Sequence, residues 1–334
     1  MLTAKPAEAS PPTSSEPAPR APHPSFFPFH IVPGVSNFRD IGGWPITLPS
    51  IPEKPHHVRR GILFRGSDTT RITAAGIAKL QELHVKTDFD LRSKQQIEKA
   101  GGFKDMQEWG IERVWAPVFS DEEYTEEKAR ERYEMYASED PANTQIGTEA
   151  HAYPQDIVSA FIEILTSGAP MMKTVLQHLL STTIEQEPQP PPALFMHCTT
   201  GNNRTGIFIS LLLLLLHVPA PTIIHEYTLS ELGLAPTRHI NVDRLLAKGA
   251  FKEYGEREAR RRCERMVGAR AGSMEALLDE VERRWGGAEG YFRGCGVERG
   301  EVGRVREVFS VQGMGIRELF GEGAQLSRKR RYPV

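Results

Sequence analysis

Cysteine is scarce in this sequence, which has three among its 334 residues: Cys198, Cys263 and Cys295. Three cysteines do not make an even disulfide framework, and none of them stands at a metal-ligand spacing from another. The scarcity therefore argues against a disulfide scaffold and predicts a reducing compartment, where a thiol stays free.

Charge imbalance and long apolar runs are also missing. The 41 Lys and Arg residues nearly balance the 43 Asp and Glu residues, which gives no sign of a general nucleic-acid surface. The longest apolar run, 207–216, is shorter than the roughly 20 residues that cross a bilayer, and it predicts a core helix. The N-terminus lacks the apolar segment of a secretory signal. We therefore expect a soluble cytoplasmic protein without a transmembrane segment or a nucleic-acid partner.

Composition divides the chain into three parts. Residues 1–25 are rich in Pro, Ala and Ser and predict a disordered tail. Residues 26–315 predict a single domain, and 316–334 predict a basic C-terminal tail. The cluster Arg328-Lys329-Arg330-Arg331 in that tail fits a nuclear localisation signal, a contact with an anionic membrane, or a solvated chain end, which is the commoner role of short basic tails.

Strand and helix patterns alternate up to residue 220. The strand patterns span 62–64, 85–91, 114–119 and 193–196, and the helix patterns span 73–83, 122–136, 157–180 and 206–216. This alternation predicts an α/β fold with a central, mostly parallel sheet flanked by helices. From about residue 221 the patterns are helical only, which predicts extra C-terminal helices packed on the same core.

One segment, HCTTGNNRTG at 197–206, indicates the chemistry. A strand that enters a tight loop and continues as a helix turns several backbone N–H groups into one bowl, which suits a phosphate dianion. Cys198 at the lip of this bowl would have a lowered pKa and act as a nucleophile. Arg204 can hold two phosphate oxygens with its planar fork. The alternative is a buried structural cysteine followed by an ordinary helix cap.

The spacing within this segment fits one phosphate. Five residues between Cys198 and Arg204 let the loop curl around the anion with the sulfur beneath phosphorus. Gly201 supplies a backbone conformation that a side chain would resist, and the hydroxyl of Thr205 is placed to bond the thiolate or to assist hydrolysis. The predicted phosphate-binding residues are Thr199, Thr200, Gly201, Asn202, Asn203 and Arg204.

The segment resembles the phosphate-binding loop of the cysteine-dependent protein tyrosine phosphatase superfamily. NFRDIGG at 37–43 resembles the NFRDLGG signature of one branch, the atypical tyrosine/serine and lipid phosphatases of bacteria and fungi. LFRGS at 63–67, DFDLRS at 88–93 and the run 274–292 agree with that branch. The resemblance spans 30–310 and implies a tyrosine-phosphatase-like fold and phosphatase activity.

The loop departs from the branch at two positions. Members commonly carry Gly-Lys-Asp-Arg where this chain has Gly201-Asn202-Asn203-Arg204. The lysine of that pattern adds charge for polyanionic substrates such as phosphoinositides, and the aspartate has been considered an acid. Asparagine donates hydrogen bonds but cannot transfer a proton at neutral pH. The resemblance therefore implies the family's roles for Cys198 and Arg204. Because the lysine and the aspartate are missing, it gives less support to phosphoinositide activity and to an acid within the loop.

The predicted reaction has two steps. The Cys198 thiolate attacks phosphorus to give a cysteinyl-phosphate, and water then hydrolyses this intermediate. The loop donors and Arg204 do what a metal ion does at other phosphoryl-transfer sites, so neither a metal nor a cofactor is predicted. Asp121 is the candidate general acid, and its alternative role is in a solvated acidic loop or a helix N-cap.

Further residues are predicted to support the site: His197, Asn37, Arg39, Asp40, Asp90 and Arg92. The histidine either bonds the loop backbone and sets the thiol pKa, or simply packs. Asn37, Arg39 and Asp40 are expected to pin the N-terminal segment against the sheet near the site, and the alternative is contact with the substrate. Asp90 and Arg92 are expected to form an ion pair beneath the site. Asp156 is predicted to be a helix N-cap.

The sequence thus favours a phosphomonoester hydrolase, chiefly for phosphotyrosine with tolerance for phosphoserine and phosphothreonine. One alternative is a phosphoinositide or inositol phosphate phosphatase. Another is a pseudophosphatase that binds phosphate without turnover, because the Lys-Asp pair is lost. Sulfur transfer of the rhodanese kind is disfavoured, since those loops are typically one residue shorter. The expected partners are phosphoproteins or phosphorylated small molecules or lipids.

Overall fold

The computed structural model describes residues 22–47, 55–139, 156–184 and 192–312. The basic tail predicted for 316–334, with its Arg328 to Arg331 cluster, lies outside the described residues. So does most of the tail predicted for 1–25.

The described residues contain eight strands, which form two sheets. In chain order they are β1 Arg39–Asp40, β2 Pro45–Ile46, β3 His56–Val58, β4 Leu63–Gly66, β5 Val85–Asp90, β6 Glu112–Trp115, β7 Ala193–His197 and β8 Ser310–Gln312. The larger sheet has the order β1-β4-β7-β5-β6 and is parallel except for β1, which runs antiparallel to β4. The α/β fold with a mostly parallel sheet is therefore confirmed.

The helices surround this sheet. They are α1 Ala74–Glu82, α2 Lys94–Ala100, α3 Glu126–Tyr136, α4 Ile157–Ser167, α5 Ala169–Ile184, α6 Asn203–Leu215, α7 Ala220–Thr228, α8 Ser230–Leu234, α9 Arg238–Ala247, α10 Glu256–Met266, α11 Ala271–Trp285, α12 Ala288–Gly294 and α13 Arg299–Phe309. No helix of the described residues is long and apolar enough to cross a membrane.

Both faces of the central strand β7 are buried. Leu194 and Met196 belong to the larger hydrophobic cluster, which the C-terminal helices share, whereas Phe195 belongs to a second cluster with Ile77 and Leu80 of α1. Successive side chains of a strand point to opposite faces, so this division shows that helices cover both sides of the sheet. The shared larger cluster supports the proposed single unit 26–315.

The helix that follows the candidate loop, α6, is buried almost all round, with the side chains of 204–213 within the protein. A helix that is apolar on every side belongs in a core. Contacts with α4, α7 and α12 hold it from different directions. This packing fixes the N-terminus of α6 directly behind the loop.

The single helix predicted over 157–180 is wrong, because the chain breaks there into α4 and α5. Gly168 ends the first helix with a bond from its N–H to the Ile164 carbonyl of 2.9 Å. Pro170 lacks an N–H and is tolerated only in the first turn of a helix, where the structure has it.

Two further boundaries differ from the prediction. The strand predicted over 114–119 is β6 and ends at Trp115, because Pro117 cannot donate to a strand ladder. The helix predicted over 122–136 begins only at Glu126, where Thr125 accepts a bond of 3.2 Å from the Lys128 N–H and caps it.

The prediction that the chain is helical only after about 221 is also wrong in one place. β8 follows α13 and pairs antiparallel with β3, which extends the hairpin of β2 and β3 to a three-stranded sheet. A strand of three residues whose partner lies near residue 57 leaves no local pattern to detect.

Candidate active site

The loop from Cys198 to Asn202 connects the central strand β7 to α6. In the parallel register, His197 lies opposite both Gly66 of β4 and Asp90 of β5, so the ends of three strands meet beside the loop. The Leu91 N–H continues this pairing with a bond of 2.9 Å to the His197 carbonyl. Cys198 itself is only 3% exposed.

The carbonyls of the loop are bonded from outside. Asp68 N donates to Thr199 O at 3.2 Å, and Asn37 Nδ2 donates to Thr200 O at 3.2 Å. Arg65 Nη2 donates both to Gly201 O and, at 3.3 Å, to Asn202 O. In a planar trans peptide the N–H points opposite to the C=O. The following N–H groups are therefore turned toward the inside of the loop, as an anion site needs.

Gly201 is required in this loop for two reasons. Its φ of +68° lies in the left-handed region, and a Cβ on it would come 2.0 Å from the Gly66 carbonyl oxygen. Only glycine adopts this φ without strain and leaves room for the strand beside it.

The Cys198 thiol has a lowered pKa. Burial opposes the thiolate, but the positive charge of Arg204, the hydroxyl and N–H of Thr205 and the N–H of Gly201 together outweigh burial. The Thr205 hydroxyl has no nitrogen or oxygen partner among the described residues, so the sulfur is the group that it contacts. A lowered pKa gives Cys198 a larger fraction of thiolate, the nucleophilic form, than an unperturbed cysteine has at the same pH.

His197, fully buried before the cysteine, is the second titrating group at the site. Its Nε2 lies 3.0 Å from Asp88 Oδ1, and its Nδ1 lies 3.1 Å from the Cys198 carbonyl oxygen. Burial lowers its pKa, but the charges of Asp88 and Asp90 raise it further, to about 9. Both ring nitrogens then carry protons at neutral pH, and Nδ1 donates to the Cys198 carbonyl. The predicted bond to the loop backbone is confirmed.

The predicted ion pair of Asp90 and Arg92 is confirmed, with 2.8 Å between Oδ2 and Nη2. Arg113 of β6 contacts the same carboxylate oxygen at 2.8 Å. Burial works against the charged carboxylate, yet His197 and Arg92 hold the pKa of Asp90 far below its usual range. The pair lies at the end of β5, next to the strand that carries the cysteine.

Arg204 projects from the first turn of α6 and is 9% exposed. Its Nη1 donates to the Leu91 carbonyl at 3.4 Å and to the side-chain oxygen of Gln96. Gln96 also caps α2, since its Oε1 accepts from the Ser93 N–H at 3.3 Å. One amide oxygen therefore fixes both the start of α2 and the direction of Arg204.

The two asparagines of the loop direct their side chains to the protein. Asn202 is buried, and its Nδ2 donates to the Gly268 carbonyl at 2.9 Å. Asn203 accepts a bond of 3.4 Å from the Tyr227 hydroxyl. At both positions it is therefore the backbone N–H, and not the side chain, that is left to bind an anion.

The NFRD segment takes part in the site through two of its residues. Asn37 bonds the loop carbonyl of Thr200, and Arg39 is fully buried against Glu226 of α7, with 2.7 Å between Nε and Oε1. Asp40 instead accepts from the N–H groups of Gly42 at 2.8 Å and Gly61 at 2.9 Å and fixes the turns around them. Burial raises the pKa of Asp40 to about 6 against those bonds.

The candidate acid Asp121 is exposed in a turn before α3. Within the described residues its carboxylate has no hydrogen bond or ion pair, and the N-cap of α3 is Thr125, so a cap role for Asp121 is wrong. Asp68 lies beside the loop, because its N–H donates to the Thr199 carbonyl, and its carboxylate Oδ1 lies 3.4 Å from Arg92 Nη1. Asp156 caps α4 as predicted, with Oδ1 2.9 Å from the Ser159 N–H.

The sequence does not reveal four contributors to the site: Arg65, Asp88, Gln96 and Glu226. The LFRGS and DFDLRS segments carry Arg65 and Asp88 only as parts of a resemblance, and Gln96 falls in none of the predicted strands or helices. Glu226 lies within a helical run, and a charged residue on the apolar face of that run was the only signal. In the part of the chain that the structure describes, no cluster of His, Cys, Asp or Glu could hold a metal ion.

Residues 30–310 match the tyrosine phosphatase family. A tyrosine-protein phosphatase of Nostoc commune is 30% identical over 155 residues, which are 46% of this chain and about half, 49%, of that relative. The triple specificity protein phosphatase PtpB of Mycobacterium tuberculosis is 23% identical over 284 residues, which cover 83% of this chain and 97% of that protein. Because the family match spans most of the chain, the protein belongs to the tyrosine phosphatase family and is of the cysteine-based protein tyrosine phosphatase type.

Proposed function

We propose that this protein hydrolyses phosphomonoesters through a cysteinyl-phosphate on Cys198, with phosphotyrosine as its chief substrate and tolerance for phosphoserine and phosphothreonine. The observation that carries the proposal is the loop itself. Its cysteine has a lowered pKa, and its carbonyls are bonded from outside so that its N–H groups face inward.

In the first step the Cys198 thiolate attacks phosphorus in line with the leaving oxygen. The S–P bond forms as the P–O bond to the substrate breaks, and the charge on the equatorial oxygens is held by the loop N–H groups and by Arg204. In the second step water attacks phosphorus, the S–P bond breaks, and phosphate leaves. Thr205, in contact with the sulfur, stabilises the thiolate as it is released.

The general acid of this proposal is Asp121. Its exposed carboxylate, with no partner among the described residues, is available to protonate a leaving oxygen, whereas Asp68 pairs with Arg92. Asp121→Asn should slow alkyl phosphate hydrolysis more than hydrolysis of an aryl phosphate with a good leaving group, because only the alkoxide needs the proton. Asp68→Asn is the matched control. If Asp68→Asn slows alkyl phosphate hydrolysis selectively and Asp121→Asn does not, the general acid is Asp68.

Protein substrates are supported by the relatives, both of which bear the name of a protein phosphatase. Phosphoinositides and inositol phosphates are the alternative substrates. They are less well supported, because Asn202 brings no charge to the loop and its side chain is bonded to Gly268.

A phosphate-binding pseudophosphatase is the second candidate function. It is favoured by one observation, that neither loop asparagine can transfer a proton and both side chains are engaged elsewhere. It predicts tight phosphopeptide binding with negligible turnover.

The test is hydrolysis of a chromogenic aryl phosphate, phosphotyrosine peptides, phosphoinositides and inositol phosphates by the purified protein without added metal. Cys198→Ser is the control. The proposal expects turnover by the wild type, highest on phosphotyrosine, and none by the variant. Equal inactivity of both across the panel would contradict hydrolysis, and phosphopeptide binding would then favour the pseudophosphatase.

The cell interior is the proposed location, since a free catalytic thiol persists under reducing conditions. The three cysteines are free of disulfides in the structure. A fluorescent reporter that carries the last ten residues tests whether the basic cluster directs nuclear import, and a diffuse cytoplasmic signal would contradict that role.

A further inference from the structure

A buried carboxylate on α7 stands between two arginines from separate strands. Glu226 is fully buried, with Oε1 2.7 Å from Arg39 Nε and Oε2 2.7 Å from Arg65 Nη1. Burial works against its charged form, but the charges of both arginines hold its pKa below the usual value. A charge is buried at this depth only when partners satisfy it.

The first route from Glu226 to the loop runs through Arg65. While Nη1 pairs with Glu226, Nη2 donates to the carbonyls of Gly201 and Asn202. A guanidinium is planar and rigid, so an oxygen that fixes one terminal nitrogen also fixes the other. The direction of two loop peptides therefore depends on the carboxylate behind the arginine.

The second route runs through Arg39. Its Nη2 donates to the Glu226 carbonyl at 3.0 Å, and its Nη1 donates to the side-chain oxygen of Asn37. The amide nitrogen of Asn37 in turn donates to the Thr200 carbonyl at 3.2 Å. Glu226 thus contributes to holding three consecutive loop carbonyls, those of residues 200, 201 and 202.

The charge of this cluster also matters. Two arginines and one glutamate leave one net positive charge buried behind a loop that has to accept a phosphate dianion. Without the carboxylate, two guanidinium groups would face each other in the core. Burial and the charge of Arg65 already lower the pKa of Arg39 to about 10.

We propose that Glu226 is a positioning residue for the phosphatase reaction, which acts through Arg65 and Arg39 to keep the loop N–H groups aimed at the phosphate. The inference rests on the proposed function for its catalytic meaning. A merely structural Glu226 would join α7 to the sheet and leave the loop unchanged when it is replaced.

The test compares Glu226→Gln with Glu280→Gln. Glu280 is a matched control, because it too is a buried carboxylate between two arginines, at 2.7 Å from Arg283 and 2.6 Å from Arg284, but it lies on α11 and has no bond to the loop. Two readouts need no turnover: the affinity for orthovanadate, and the pH midpoint of Cys198 alkylation by iodoacetamide, followed by peptide mass spectrometry.

In Glu226→Gln we expect orthovanadate affinity and kcat/KM to fall about 10- to 100-fold, the range for groups that orient the direct ligands of a site. The alkylation midpoint of Cys198 should move to higher pH. Glu280→Gln should keep wild-type values for all three. A folded Glu226→Gln protein with wild-type vanadate affinity and alkylation midpoint would overturn the proposal.

Loss of a buried charge can unfold a protein, so Arg65→Lys is the second variant. Lysine keeps the charge and the pairing with Glu226, but it lacks the second nitrogen that holds the Gly201 carbonyl. The proposal expects the same weaker vanadate binding and higher alkylation midpoint, and wild-type values would overturn it. If the wild type hydrolyses no phosphoester, the proposed function fails, while these two readouts still decide whether Glu226 positions the loop.

Discussion

His197, the residue before Cys198, forms a buried ion pair with Asp88, with 3.0 Å between Nε2 and Oδ1. The aspartate keeps the imidazole protonated, and the protonated ring donates to the Cys198 carbonyl. A positive charge is thereby maintained on the residue before Cys198, the proposed nucleophile.

The first prediction concerns stability against pH. The pKa of His197 is raised from 6.5 to about 9, so its contribution to stability is complete below pH 6.5 and is lost as pH rises through 9. The free energy of unfolding, measured in urea, should fall over that range more steeply in the wild type than in His197→Gln. Equal slopes for both proteins would contradict the assignment.

The second prediction concerns the thiols. The pKa of Cys198 is lowered, whereas burial raises the pKa of Cys263 and of Cys295. The other two cysteines therefore serve as controls for Cys198 within the same protein. Iodoacetamide should modify Cys198 with a midpoint at lower pH than the other two cysteines. A midpoint for Cys198 equal to or higher than theirs would refute the lowered pKa.

The third prediction distinguishes two effects of a side chain at Gly201: backbone strain and a collision with β4. Gly201 has φ of +68° and Gly286 has φ of +66°, but only at Gly201 would a Cβ meet another atom, the Gly66 oxygen at 2.0 Å. Alanine at either position costs about 1–2 kcal/mol of backbone strain. Gly201→Ala should also lower kcat/KM by about 100-fold, since the loop is displaced.

Gly286→Ala is the control for this substitution: it should keep full activity and lose only the stability that the backbone strain costs, whereas Gly201→Ala should lose more in thermal unfolding. Equal activity of the two variants would contradict the close approach of the loop to β4.

The fourth prediction concerns Gln96, whose amide oxygen accepts from Arg204 and from the Ser93 N–H. Gln96→Ala should reduce kcat/KM for an aryl phosphate about tenfold, because Arg204 loses a partner that directs it. Ser93→Ala removes the other half of the same helix cap and leaves the Gln96 amide in place. If both variants lose activity equally, the effect comes from the cap and not from Arg204.

The loop could be predicted from the sequence because its chemistry is local. Cys198, Gly201, Arg204 and Thr205 lie within eight residues, between a strand and a helix that each have a clear apolar pattern. The mostly parallel sheet followed from the alternation of such patterns.

What holds the loop could not be predicted in this way. The donors to its carbonyls come from Asn37 and Arg65, 163 and 136 residues away from their acceptors, and Gln96 is 108 residues from Arg204. Such pairings depend on which strands become neighbours, and no local pattern records that. The break between α4 and α5 is different, because Pro170 is a local signal for it: proline is tolerated in the first turn of a helix and not in its interior.

Detection of a cysteinyl-phosphate on Cys198 during turnover is the most direct test of the proposed reaction. The protein is mixed with an excess of aryl phosphate, quenched within milliseconds, and digested for mass spectrometry. We expect a phosphate on the peptide that contains Cys198, present in the wild type during turnover and absent in Cys198→Ser. Turnover without phosphate on Cys198, or undiminished activity of Cys198→Ser, would contradict the proposed reaction.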